Sequence, residues 1–210
     1  SQPGFEYLAE LAKHVGKVAN VGVRNTATWA GNLMLKHQHL EFPSDLFLCL
    51  ETAGATVTLA RKGAQPRSLS LVDFLQQDMS GTLLQSMQLP KYDAAQTRVR
   101  TYKIMPRSQN AHAYVNAGFR FALEPSTLTV LSRPSIVVGG VSATLVHCAD
   151  TEAYLVGKRL SDAGVLTRAL QTLSNELVPD ADPVLSAPAY RKSLALALFY
   201  KTVLLFNGDS

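Results

Sequence analysis

Cysteine is scarce in this chain: Cys49 and Cys148 are the only two in 210 residues. They stand far apart, with no C-x-x-C and no paired histidines beside them. A disulfide framework and a cysteine-ligated metal are therefore not expected, and two reduced structural thiols are the plain reading. Charge is sparse too, at 17% of residues with a net of +4. The densest basic group is Arg98, Arg100, Lys103 and Arg107, and no basic run alternates with aromatics, so no nucleic-acid partner is expected. The longest apolar stretch, Leu194 to Phe206, is broken by Lys201 and is too short to span a bilayer. The opening Ser1-Gln2-Pro3-Gly4 has neither an initiator Met nor an apolar segment. No signal peptide or membrane association is expected, and the expected location is cytoplasmic. There is no internal repeat, P-loop, G-x-S-x-G or Ser/His/Asp set.

What is present is apolar residue in quantity, 47% of the chain. That is enough to bury a sizeable core, in one domain or two closely packed ones. Phe5 to His14 reads as a helix with Phe5, Leu8, Leu11 and Ala12 on one face. Ser44 or Asp45 can cap a helix over Leu46 to Thr52, which Gly54 can end in the left-handed conformation. Strand signals then dominate: Ala55 to Ala60, Leu83 to Leu89, Val99 to Met105, Ala113 to Leu123, Leu128 to Leu131 and Ile136 to Gly140. Leu71 to Gln77 reads as a short helix between two of them. Asp162 to Leu177 is helical by spacing. Tyr190 to Phe206 is apolar nearly all round and is expected to be buried against the sheet. Val178 to Ala189, with Pro179, Pro183 and Pro188, reads as a surface loop. The fold class is α+β, an antiparallel-rich sheet with helices packed on it.

The segment Val23-Arg24-Asn25-Thr26-Ala27-Thr28-Trp29-Ala30-Gly31-Asn32 stands out. Thr28 and Asn32 bring groups that both donate and accept hydrogen bonds. Ala30 and Gly31 between them are small enough for the backbone to approach a ligand, with N–H groups turned toward an anion. That chemistry suits a diphosphate or the polar edge of a flavin. A tight surface turn uses the same residue types.

This segment resembles the second flavin-binding loop of the molybdenum-dependent hydroxylases, the xanthine dehydrogenase and aldehyde oxidase family. Further similar segments follow in order. They are Pro3-Gly4-Phe5-Glu6-Tyr7 with Leu11-Ala12-Lys13-His14, then Gly31 to His39, Glu41-Phe42-Pro43-Ser44-Asp45-Leu46 and Tyr102 to Arg107. Gln109 to Phe119, Val138-Gly139-Gly140-Val141 and Tyr190-Arg191-Lys192-Ser193-Leu194 complete the set. The version is closest to the insect aldehyde oxidases, since xanthine dehydrogenases set the Ser-Asp pair nearer the Asn. The resemblance implies the larger part of an FAD domain, with residues 1–95 its second subdomain and 96–210 its C-terminal sheet and helices. In the family a glycine-rich pyrophosphate loop and a small subdomain precede the motif; here only Ser1 to Gly22 do. FAD is the implied cofactor. A molybdopterin and two [2Fe-2S] clusters are implied outside this chain, which lacks the cysteine clusters such centres need.

The resemblance assigns cofactor contacts to Thr28, Trp29, Ala30, Gly31, Asn32, Asp45, Leu84 and Lys103; no catalytic residue and no metal ligand is assigned. Asp45 follows the motif and contacts the cofactor in the family, or serves as a helix N-cap. Lys103 matches a lysine beside the flavin, where its charge would stabilise the reduced ring; on residue type alone it is a surface lysine. Leu84 matches a leucine lying against the flavin, or is simply core. Trp29 replaces the usual Leu or Ile and could cover a ring face or pack inward. His37 and His39 have H-x-H spacing without a third ligand, so a polar loop is expected there. His112 and His147 are expected to be structural.

Two functional readings follow. In one, the chain is the FAD-binding, electron-transfer portion of an oxidoreductase that hydroxylates aldehydes or N-heterocycles. Electrons would pass from iron–sulfur clusters through FAD to oxygen or NAD. Its partners would be the iron–sulfur and molybdenum domains of a homodimer, and the isolated chain would be inactive. In the other, the chain is a structural or interaction module that does not bind flavin by itself.

Overall fold

Ser44, not Asp45, closes the N-terminus of the helix that organises this molecule. In the computed structural model, which describes residues 2–181 and 186–208, the Ser44 hydroxyl accepts from the Phe47 amide at 3.0 Å. Gly54 ends the same helix at φ 74°, the left-handed conformation that glycine adopts without strain. The helices that precede it are α1 (Leu8–Val15), α2 (Val21–Thr26) and α3 (Trp29–Gln38); the capped helix is α4 (Asp45–Ala53). Three strands follow around a short helix: β1 (Thr56–Arg61), β2 (Arg67–Ser70), α5 (Leu71–Phe74) and β3 (Thr82–Gln88). They form an antiparallel sheet in the order β2-β1-β3. Its apolar side closes over Leu33, Phe47, Leu50, Val57, Leu71 and Phe74.

The second sheet is an antiparallel meander of β4 (Thr97–Ile104), β5 (Val115–Ala122), β6 (Ser135–Gly139) and β7 (Val146–His147). It is followed by α6 (Ala149–Leu155), α7 (Ala163–Glu176) and α8 (Pro188–Gly208). Nearly every residue of β5 and β6 is buried, because helices cover both faces. One face meets α8 through Phe119, Phe121, Phe199 and Phe206; the other receives α4. The approach of α4 is close: a Cβ added at Gly118 would fall 1.9 Å from Thr52 Oγ1. So α4 lies between the two sheets and belongs to both cores. The α+β class with an antiparallel-rich sheet is what the structure has.

Four differences from the sequence reading have physical causes. The stretch Leu128 to Leu131 forms only isolated bridges, and Leu128 sits at φ 56°, which no strand residue adopts. The short strands β2 and β7 and the short helix α6 have too few residues for a periodic signal. Helix α8 buries one stripe, Ala195, Leu198, Phe199, Thr202, Val203 and Phe206, and leaves Tyr200 and Leu204 exposed. Apolar character all round therefore did not mean burial all round. The expected loop from Val178 lies partly at 182–185, outside the described residues, and Pro188 opens α8.

Candidate functional site

The motif is not a loop but the junction of two helices. Asn20 caps α2, Ala27 ends it in extended backbone, and Thr28 caps α3 with its hydroxyl accepting from Gly31 N at 3.0 Å. Trp29 to Asn32 are therefore the first turn of α3, where the leading amides have no acceptor within the helix and the dipole favours an anion. Gly31 leaves room for the cap: a Cβ there would sit 3.0 Å from the capping Thr28 Oγ1, so the hydroxyl would have to give way. Asn32 ties the two neighbouring helix starts together, its Oδ1 accepting from Ser44 Oγ at 2.5 Å. Its amide nitrogen has no hydrogen bond among the described residues.

This turn borders a cleft of about 650 Å³. Val18, Val23, Leu35, Phe42 and Pro43 give it apolar walls; Thr28, Gly31, Asn32, Asp45 and Lys103 supply the polar edge. Five of the eight expected contact residues thus meet on one surface. The other three do not line it. Trp29 and Ala30 pack against the core beneath the first sheet, and Leu84, 8% exposed, is part of that core.

Asp45 and Lys103 form a buried pair, Nζ to Oδ2 at 2.8 Å, with residue exposures of 7% and 6%. Lys103 is thus no surface lysine, and its charge is not free either: Nζ also donates to the Lys17 carbonyl at 3.1 Å. The other Asp45 oxygen accepts from His14 Nε2 at 3.2 Å and from Asn116 Nδ2 at 3.0 Å. Burial acts most strongly on the Asp45 carboxyl and pushes it up, but bonds from His14, Lys103 and Asn116 outweigh it and hold it below its ordinary range. The carboxylate is therefore ionised and fully donated to, which is how a buried charge becomes tolerable. Sequence reading gave His14 and Asn116 no role. Both lie within segments that resemble the family, but nothing in their types or spacing says that they meet a carboxylate from another helix.

The remaining histidines have local partners. His37 Nε2 lies 2.7 Å from the Gln77 carbonyl, and His39 Nδ1 3.3 Å from exposed Glu41. His112 stands edge-on to Phe42 at the cleft wall. His147 bridges Glu51 on α4 (2.9 Å) and Glu152 on α6 (3.5 Å). Burial pulls its imidazolium down, but the two carboxylates prevail and raise it to about 9. Cys49 and Cys148 are both buried and free, with their thiols pushed up by burial.

Residues 5–92 match the family model described as FAD binding domain in molybdopterin dehydrogenase, and residues 100–205 match the CO dehydrogenase flavoprotein C-terminal domain. The chain belongs to this FAD-domain family. FAD is the family's cofactor, and the resemblance to the xanthine dehydrogenase and aldehyde oxidase group holds. Among curated relatives, an indole-3-acetaldehyde oxidase of Arabidopsis thaliana is 35% identical over 208 residues, 92% of this chain and 15% of that protein. Probable aldehyde oxidase 1 of Oryza sativa subsp. japonica is 34% identical over 202 residues, 91% of this chain and 14% of that one. The chain thus spans about one-seventh of the length of the curated relatives it matches. These are plant proteins, so they bear on the family and not on its insect branch.

Solved structures carry the fold. A carbon monoxide dehydrogenase from Hydrogenophaga pseudoflava that lacks the Mo-pyranopterin moiety superposes with a TM-score of 0.79 at 18% identity, over 96% of this chain and 68% of that chain. Quinoline 2-oxidoreductase from Pseudomonas putida 86 gives 0.76 at 23% identity, over 99% and 70%.

The cleft fits an FAD-type ligand on its own chemistry. It combines apolar walls of the kind a flat ring needs with the Thr28 hydroxyl at the α3 start and an Asn32 amide nitrogen that has no hydrogen bond among the described residues.

Proposed function

We propose that this chain holds FAD in the α2–α3 cleft, as the electron-transfer part of a molybdenum-dependent oxidoreductase acting on aldehydes or N-heterocycles. The observation that carries the reading is the convergence of Thr28, Gly31 and Asn32 with the buried Asp45–Lys103 pair on one cleft. When bound, FAD would accept electrons from iron–sulfur clusters and release them to oxygen or NAD. The chain's own part is to bind, orient and shield. The α3 start and Asn32 would take the polar atoms of the cofactor; Val18, Val23, Leu35 and Phe42 would exclude water from its ring. Asp45 and Lys103 would set the local charge, and Trp29, Ala30 and Leu84 would support the site from the core behind it.

The same reading divides the chain near residue 95 into the motif-bearing subdomain and the C-terminal sheet with its helices. Its partners would be the iron–sulfur and molybdenum domains of a cytoplasmic homodimer. Among the described residues no helix is long and apolar enough to cross a membrane.

A flavin titration of the 210-residue chain, followed by FAD fluorescence, tests the binding claim. Saturable binding is expected, weakened about tenfold by Asn32→Ala, or roughly 1.4 kcal/mol. A cooperatively folded chain that shows no saturation up to millimolar FAD would overturn it.

A further inference from the structure

Asp45 and Lys103 face the cleft, whereas His14 and Asn116 reach it only through Asp45. His14 lies near the end of α1, 2% exposed, and its Nδ1 has no hydrogen-bond partner among the described residues. A buried polar atom left unpartnered is unfavourable, because it has lost its water without gaining a partner. On the same helix Leu11 is packed in an apolar cluster with Cys49, Ala53 and Val99. Packing alone would therefore favour an apolar side chain at position 14. What the imidazole adds is one hydrogen bond, from Nε2 to Asp45 Oδ1. An ionised carboxylate only accepts, so Nε2 carries the hydrogen. With His14 and Asn116 both on Oδ1, the carboxylate cannot rotate freely, and Oδ2 is left turned to Lys103 Nζ.

We infer that His14 is a positioning residue of the cofactor site: it fixes the Asp45 carboxylate, so holding Lys103 at the cleft and setting the charge presented to the flavin. This rests on the reading that the cleft holds FAD. The sign follows from charge compensation. Removing a donor from Oδ1 leaves the carboxylate more negative beside a ring that gains electrons, so reduction becomes less favourable.

The test is the flavin midpoint potential of the FAD-loaded chain, by dye-equilibrated titration with dithionite. Wild type is compared with His14→Leu, His14→Gln and Leu11→Ala. His14→Leu is expected to lower the reduction equilibrium about tenfold, roughly 30 mV for a two-electron couple. His14→Gln, which can place an amide donor near the same oxygen, should restore most of that loss. Leu11→Ala loosens α1 without touching Asp45, and should lower the melting temperature while leaving the potential in place. An unshifted His14→Leu, or an equal shift in Leu11→Ala, overturns the inference; His14→Met replaces the Leu variant if that does not fold.

A second readout needs no flavin. The Lys103 ammonium, buried against Asp45, should give a slowly exchanging ¹⁵N signal in wild type and His14→Gln and lose it in His14→Leu. If wild type takes up no FAD but this pattern holds, the FAD reading fails and the positioning role stands. If the signal persists in His14→Leu, the positioning role is wrong whatever the flavin does.

Discussion

A buried ion pair whose two members come from different elements is sensitive to loss of either one. Lys103 on β4 and Asp45 at the start of α4 are such a pair. Lys103→Met keeps much of the side-chain volume but strands the Asp45 charge with two donors in place of three. The expected loss in urea denaturation is about 3–5 kcal/mol; a change below about 1 kcal/mol would mean that water reaches the carboxylate. At this scale the sequence was partly legible. Residue type and order placed Thr28, Gly31, Asn32, Asp45 and Lys103, which the fold brings to one cleft. Their electrostatics were not legible, because a lysine reads as a free charge until its partner, distant in sequence, is known. Leu84 shows the converse, since a leucine suits a core as well as a ligand wall, and here its side chain is in the core.

At the scale of elements, α4 is held from both sides. His147 between Glu51 and Glu152 ties α4 to α6. Its folded pKa of about 9 lies above its ordinary 6.5, so this clamp contributes fully below about pH 6.5 and fades as pH rises through about 9. Unfolding free energy should therefore fall between those values, and His147→Gln should flatten that part of the profile; an unchanged slope in the variant would place the titration elsewhere. On its other face α4 meets β5 at Gly118, where Gly118→Ala would drive a methyl into Thr52. Overpacking of this kind costs about 1–3 kcal/mol or more, and a thermal melt within 1 °C of wild type would show that α4 can shift. Helix α4 was readable from its Ser44 and Gly54 caps. The helices α2 and α3 were not, because Thr, Gly and Asn are turn residues by propensity; here Thr28 spends that preference on an N-cap.

Across the whole molecule, two antiparallel sheets share α4, and the cleft opens where the α2–α3 junction, the start of α4, the end of β4 and Asn110 to His112 come together. Hydrophobic pattern gave most strands and the α+β class, since burial of one face has a period that sequence displays. The assembly around α4 depends on contacts between residues far apart in the chain, and no short-range pattern carries those. The most direct check on the account is chemical-shift mapping of the ¹⁵N-labelled chain with FAD, which registers even weak binding. The account requires the largest shifts at the amides of Thr28, Trp29, Ala30, Gly31 and Asn32 and at Lys103. Shifts concentrated at Ser142 to Leu145, which line a separate cavity of about 400 Å³, with the α3 start unmoved, would contradict it.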